Sequence, residues 1–133
     1  MTAPTLIPEL SVADLTPSLV FYCDLLGFSV RYSRPEEGFA MVELGQAVLM
    51  LDQIGIGRDW VTGPLDRPLG RGVNFQIEVD SLSPLLARLQ QAGTPLFQPV
   101  ETKSYAAGMD MVTQSQFCVQ DPDGYLLRFF ARV

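Results

Sequence analysis

Phe117-Cys-Val-Gln-Asp-Pro-Asp-Gly-Tyr-Leu-Leu-Arg-Phe-Phe130 sets a four-residue turn between two apolar runs. In Asp121-Pro-Asp-Gly124, Pro122 pre-sets φ, the two aspartates can hydrogen-bond nearby backbone, and Gly124 accepts a positive φ. Residues 117–120 and 125–130 are therefore expected to pair as antiparallel strands, the second run ending the sheet. Alternation along that run puts Arg128 on one face and Leu127 and Phe129 on the other.

The hairpin belongs to a chain of 133 residues, 47% of them hydrophobic, which is expected to form a single domain over 1–133 burying roughly two thirds of its unfolded surface. A net charge of −6 repels nucleic acid and anionic membrane and favours cationic partners. No apolar run approaches the roughly 20 residues needed to cross a bilayer. Met1-Thr-Ala-Pro-Thr5 lacks a basic region followed by an apolar segment, so the expected location is the cytoplasm. Cys23 and Cys118 have no metal-binding spacing and read as reduced core residues. Histidine is absent, which removes the commonest transition-metal ligand and the usual general base near pH 7.

An internal repeat organises the rest. Val12-Ala-Asp-Leu-Thr-Pro-Ser-Leu19 recurs 67 residues later as Val79-Asp-Ser-Leu-Ser-Pro-Leu-Leu86, each time after an apolar run. Thr16 and Ser83 before their prolines read as helix N-caps, and Gly27 and Gly93 stop helices expected over 17–26 and 84–92. Strands are expected at 6–12, 28–34, 39–44 and 47–51 in the first copy, and at 73–79, 96–98, 112–120 and 125–131 in the second. Residues 99–111 read as a long loop. Gly45-Gln-Ala-Val-Leu-Met-Leu51 matches Gly124-Tyr-Leu-Leu-Arg-Phe-Phe130, which aligns the two halves. The expected fold is α+β: two β-α-β-β-β units, about 5–51 and 72–131, forming a curved, cup-like mixed sheet with helices outside. Residues 52–71, rich in Gly, Pro and Asp, form an ordered linker.

The doubled unit, Asp14-Leu15 with Phe21-Tyr-Cys-Asp-Leu-Leu-Gly-Phe28, and Gln120-Asp-Pro-Asp-Gly-Tyr125 resemble the vicinal oxygen chelate superfamily. Within it, Arg34-Pro-Glu-Glu-Gly-Phe39, Gly72-Val-Asn-Phe-Gln-Ile-Glu-Val79 and Asp121-Pro-Asp-Gly-Tyr-Leu-Leu-Arg-Phe129 are similar to bleomycin-resistance-type proteins. The resemblance implies a homodimer with ligand held in clefts near the interface, the first strand being a natural exchange element. It also places four metal-ligand positions on the first and last strands of each unit. Here they read Ile7, Leu49, Asn74 and Arg128, and a slip of one residue would substitute Met50. An apolar pair, an amide and a cation cannot supply the imidazole, thiolate or carboxylate that a divalent metal requires, so no metal and no cofactor are expected.

If those positions face the cup, alternation adds Glu9 and Ser11, Gln76 and Glu78, and Leu126 and Phe130. Polar residues over an apolar floor suit a cationic, ring-bearing ligand; the same residues could instead line an unused face or pair internally, Arg128 with Glu9 or Glu78. Phe39, Trp60 and Tyr105 beside turns or in loops are candidate aromatic walls, Trp60 alternatively plugging a small core of the linker, and Asp52 a candidate carboxylate at the mouth. The candidate binding set is Glu9, Phe39, Asp52, Trp60, Asn74, Gln76, Glu78, Tyr105 and Arg128, with no catalytic residue. Two functions follow from the resemblance. One is sequestration of a glycopeptide-type antibiotic such as bleomycin without chemical change; the other is a metal-free lyase or isomerase of the glyoxalase type, with Glu9, Glu78 and Tyr105 as acid–base groups.

Overall fold

The computed structural model describes residues 4–57 and 60–133. Residues 1–3, where the reading of the N-terminus begins, and residues 58–59 of the 52–71 connection lie outside the described residues. The chain divides into two compact units, Met1–Arg67 and Pro68–Val133. The first contains β1 (Glu9–Val12), α1 (Leu15–Leu19) running into a π-helical turn (Val20–Leu25), β2 (Ser29–Arg34), a 3₁₀ turn (Pro35–Glu37), β3 (Phe39–Leu44) and β4 (Ala47–Gln53). The second contains β5 (Asn74–Glu78), α2 (Ser83–Gln91), β6 (Gln98–Ala107), β7 (Asp110–Gln120) and β8 (Leu126–Arg132). Both are β-α-β-β-β units with mixed four-stranded sheets of one topology, β1-β4-β3-β2 and β5-β8-β7-β6. The β1–β4 and β5–β8 pairs are parallel; the others are antiparallel.

Asp121 builds the deciding hairpin. Its Oδ1 accepts from the backbone N–H of Asp123, Gly124 and Tyr125, each at 2.9 Å, while Gly124 takes φ 107°. Phe117 then sits opposite Phe129, their rings stacked at 5.6 Å. In unit one, Leu10, Val12, Ala40, Val42, Leu49 and Leu51 are buried at alternate positions on one side of the sheet. Tyr22 is likewise fully buried, edge-on to Phe21 and Phe28. In unit two the buried side comprises Ile77, Phe117, Val119, Leu127 and Phe129, with Leu85 and Leu89 of α2 also buried.

Several expectations are corrected. β8 does not end its sheet but lies between β5 and β7. Residues 99–111 are not a loop: they form most of β6, the turn at Gly108 and Met109, and the start of β7. The helix caps lie earlier than expected. Asp14 caps α1 by accepting from Thr16 N–H at 3.1 Å, and Ser83 is already helical, its N–H reaching Ser81 Oγ at 3.4 Å. Asp52 and Gln53 belong to β4, so the connection starts later than residue 52.

Candidate functional site

The stretch from Arg34 to Phe39 folds back on itself because Pro35 opens the 3₁₀ turn and Gly38 closes it in the left-handed region at φ 65°. A side chain at residue 38 would place Cβ 2.9 Å from Gln53 Cβ, and the Gly38 carbonyl accepts Gln53 N–H at 2.8 Å. β2 and β3 therefore pair with Arg34 opposite Phe39. β3 and β4 put Phe39 opposite Asp52, and β4 and β1 put Asp52 beside Ser11. One row, Arg34-Phe39-Asp52-Ser11, thus crosses the whole sheet. The next row is Tyr32-Met41-Met50-Glu9. Because side chains at paired positions share a face, both rows project to the side opposite the Leu10 and Leu51 core.

That side forms a cleft of about 260 Å³ lined by Glu9, Arg34, Glu37, Phe39, Asp52, Gly57 and Trp60. Phe39 also belongs to a buried cluster with Met41 and Val48, against which Ile7 and Met50 pack. Three carboxylates face one guanidinium among the lining residues. Arg34 Nε pairs with Glu37 Oε2 at 3.0 Å, and its guanidinium carbon lies 4.1 Å from the Phe39 ring centroid. Burial, and then the Asp52 carboxylate, raise the Glu9 pKa, while Arg34 pulls it partly back. Trp60 is 71% exposed at the rim and so plugs no core, whereas Phe39 is only 4% exposed.

The other candidates lie on unit two. Asn74, Gln76 and Glu78 of β5 share a face with Leu126, Arg128 and Phe130 of β8. Arg128 donates from Nε to Asn74 Oδ1 at 3.2 Å, and Glu78 Oε2 pairs with Arg132 Nε at 2.9 Å. Tyr105 stands in β6, not in a loop, and its hydroxyl accepts from Gln116 Nε2 at 2.8 Å. Gln116 also donates to Glu101 Oε1 at 2.9 Å, and its own Oε1 accepts from Gln114 at 3.3 Å. Both glutamines are buried.

Glu9, Phe39, Asp52 and Trp60 are thus brought into one cleft, whereas Asn74, Gln76, Glu78, Tyr105 and Arg128 belong to the amide-rich face of the second unit. Sequence reasoning missed Arg34, Glu37, Glu101, Gln114 and Gln116. The first two were findable: a hairpin spanning residues 34–39 sets Arg34 against Phe39, and Glu37 is three residues along the turn.

The set of metal-ligand positions needs one correction. Leu49 pairs with Val42 on the buried side, while Met50 sits beside Glu9, as Arg128 sits beside Gln76. A thioether and a guanidinium that donates to an amide oxygen still do not fit a divalent metal. Among the described residues no group of three or more His, Cys, Asp or Glu side chains could hold one, and no helix is long and apolar enough to cross a membrane. Cys23 and Cys118 are free and half-buried.

The family model for the Glyoxalase/Bleomycin resistance protein/Dioxygenase superfamily matches residues 5–129. The bleomycin resistance protein of Geobacillus stearothermophilus is 28% identical, the match covering 96% of each chain. A superfamily member from Vibrio splendidus 12B01 is 40% identical over 96% of this chain and 97% of its own, with a TM-score of 0.43. TioX from Micromonospora sp. ML1 shares the fold, with a TM-score of 0.72 at 19% identity over 98% of this chain and 99% of its own.

Proposed function

The chain belongs to the glyoxalase/bleomycin resistance protein/dioxygenase superfamily, and on that premise we propose that it is a binding protein that sequesters a cationic, ring-bearing antibiotic of the bleomycin type without altering it. One observation carries the reading: Glu9, Glu37 and Asp52 converge with Phe39 and Trp60 on a single cleft of unit one. Carboxylates attract the cation, the Phe39 ring offers a flat group a partner, and the rim tryptophan offers a large stacking surface at little cost in conformational freedom. The similarity to bleomycin resistance proteins supports the ligand class. On this reading Asn74, Gln76, Glu78, Tyr105 and Arg128 of the second unit supply amide and polar contacts to ligand, the protein works in the cytoplasm without metal or cofactor, and it acts as a homodimer.

The metal-free enzyme is the weaker reading. Of its three acid–base groups, Glu78 is tied to Arg132 and the Tyr105 hydroxyl to Gln116. Calorimetric titration of bleomycin at low and high salt decides the matter, with Trp60→Ala and Glu9→Gln variants alongside. The carboxylate contribution should weaken with salt while stacking persists. No detectable binding, together with no protection of cells expressing the protein, removes this function. Sedimentation at micromolar concentration tests the dimer, and a monomer at every concentration refutes it.

A further inference from the structure

Resting on the cleft proposed above, we infer that Arg34 is an internal occupant of the ligand's ring seat, which an incoming ligand displaces. The Phe39 ring stands at the centre of the cleft-lining row and yet is only 4% exposed. Met41 and Val48 bury it from within, and one face is covered by the Arg34 guanidinium, centred 4.1 Å above the ring, on a side chain that is itself 44% exposed and paired with Glu37, 54% exposed. An exposed ion pair of this sort is weak and an exposed cation–π contact only slightly stronger, so the lid is held loosely. It also has somewhere to go, because Tyr32 lies next along the same face with its ring 5.8 Å from the guanidinium carbon.

The consequence is selectivity. A small ammonium ion, strongly hydrated and compact, gains little by displacing a planar guanidinium from an aromatic face. A flat cation, an amidinium or a guanidinium joined to a ring, replaces what it removes: it stacks on Phe39 and takes over Glu37, while Glu9 and Asp52 flank it on β1 and β4. The cleft thereby favours flat, delocalised cations over simple amines of equal charge.

Benzamidine and its uncharged analogue benzamide separate occupancy from simple charge. Trp60 is the chain's single tryptophan, so its one indole N–H resonance reports the cleft in an NMR titration. Arg34→Gln is expected to bind both compounds roughly threefold to tenfold more tightly than the parent protein, because the ring face is uncovered for either. Arg34→Lys, which keeps the charge and gives up the planar stack, is expected to fall in between. Tightening for benzamidine alone would show that Arg34 acts only through its charge and would overturn the inference, as would weaker binding of both compounds. If neither compound binds the parent protein or the variants, the seat itself is refuted, and failure of bleomycin to bind then removes the function it rests on as well. Should the variants not fold, the parent protein gives the answer: nuclear Overhauser contacts between Arg34 Hε and the Phe39 ring are expected to vanish on saturation with benzamidine, and their persistence overturns the proposal.

Discussion

Asp121→Ala should be among the most damaging single polar substitutions in unit two. The carboxylate is 5% exposed, and one of its oxygens accepts three backbone N–H groups at 2.9 Å. Hydrogen bonds to a charged acceptor contribute about 1.5–3 kcal/mol each, but three donors sharing one oxygen cannot all reach that value. Residue 123 is 2% exposed and residue 125 is 8%, so two of the freed donors lie on buried residues, whereas the Gly124 N–H keeps its bond to the Asp121 carbonyl. The expected loss is therefore about 3–4 kcal/mol, a large part of the ~5–15 kcal/mol that holds an ordinary domain together. In a urea titration followed by circular dichroism, with a slope of about 1–3 kcal/mol per molar, the midpoint should fall by about 1–4 M. Asp121→Asn keeps an oxygen in place and loses only the charge, so it should cost about 1–2 kcal/mol. An Asp121→Ala loss below about 1 kcal/mol would refute the reasoning, since water would then be satisfying all three donors. Equal losses for the two variants would place the effect in the charge and not in the geometry.

Glu9→Gln should act oppositely on stability and on binding. The folded-state pKa of Glu9 lies above its ordinary value of 4.5, so its stabilising contribution is complete below that value and is lost as pH rises through the folded-state pKa. The variant should therefore be more stable than the parent protein at neutral pH, by no more than about 1 kcal/mol at so exposed a site, with the advantage gone below pH 4.5. Thermal melts across that range check it, and a cationic ligand should meanwhile bind the variant less well. Gly38→Ala meets both a left-handed φ of 65° and a 2.9 Å approach to Gln53 Cβ. It should cost about 1–3 kcal/mol in a denaturant titration and weaken ligand binding by shifting Phe39 and Arg34 together. Parent-like stability would show that the turn tolerates an ordinary residue.

The hairpin at residues 117–130 was legible because turn chemistry and apolar alternation agree there. The neighbouring hairpin was not. Glu101, Thr102, Lys103 and Ser104 alternate between two polar faces, since β6 is exposed almost throughout, and a period of two in hydrophobicity cannot be read where neither side is buried. The π-helical turn at Val20–Leu25 left no signal separable from an ordinary helix. The misplacement of Leu49 has a different cause. Aligning the halves on Gly45 and Gly124 assumes turns of equal length, whereas the sheet registers equate Met50 with Arg128, one residue further. For the cleft, residue types pointed to Glu9, Phe39, Asp52 and Trp60, but Arg34 was read only as part of a motif. A charged residue that closes a turn onto an aromatic ring has to be found through strand pairing.

β6 is the outermost strand of its sheet, and its exposed backbone groups would readily recruit a strand from another molecule. Pro99 contributes no N–H to that edge, the register shifts between Gln98 and Glu101, and Glu101 and Lys103 set opposite charges two residues apart. Each of these discourages fibrillar stacking while adding little to the hairpin's own stability. A long polar hairpin with an open edge is a hazard in proportion to the concentration of the protein. The features that spoil its edge therefore raise the concentration at which edge-to-edge pairing would begin.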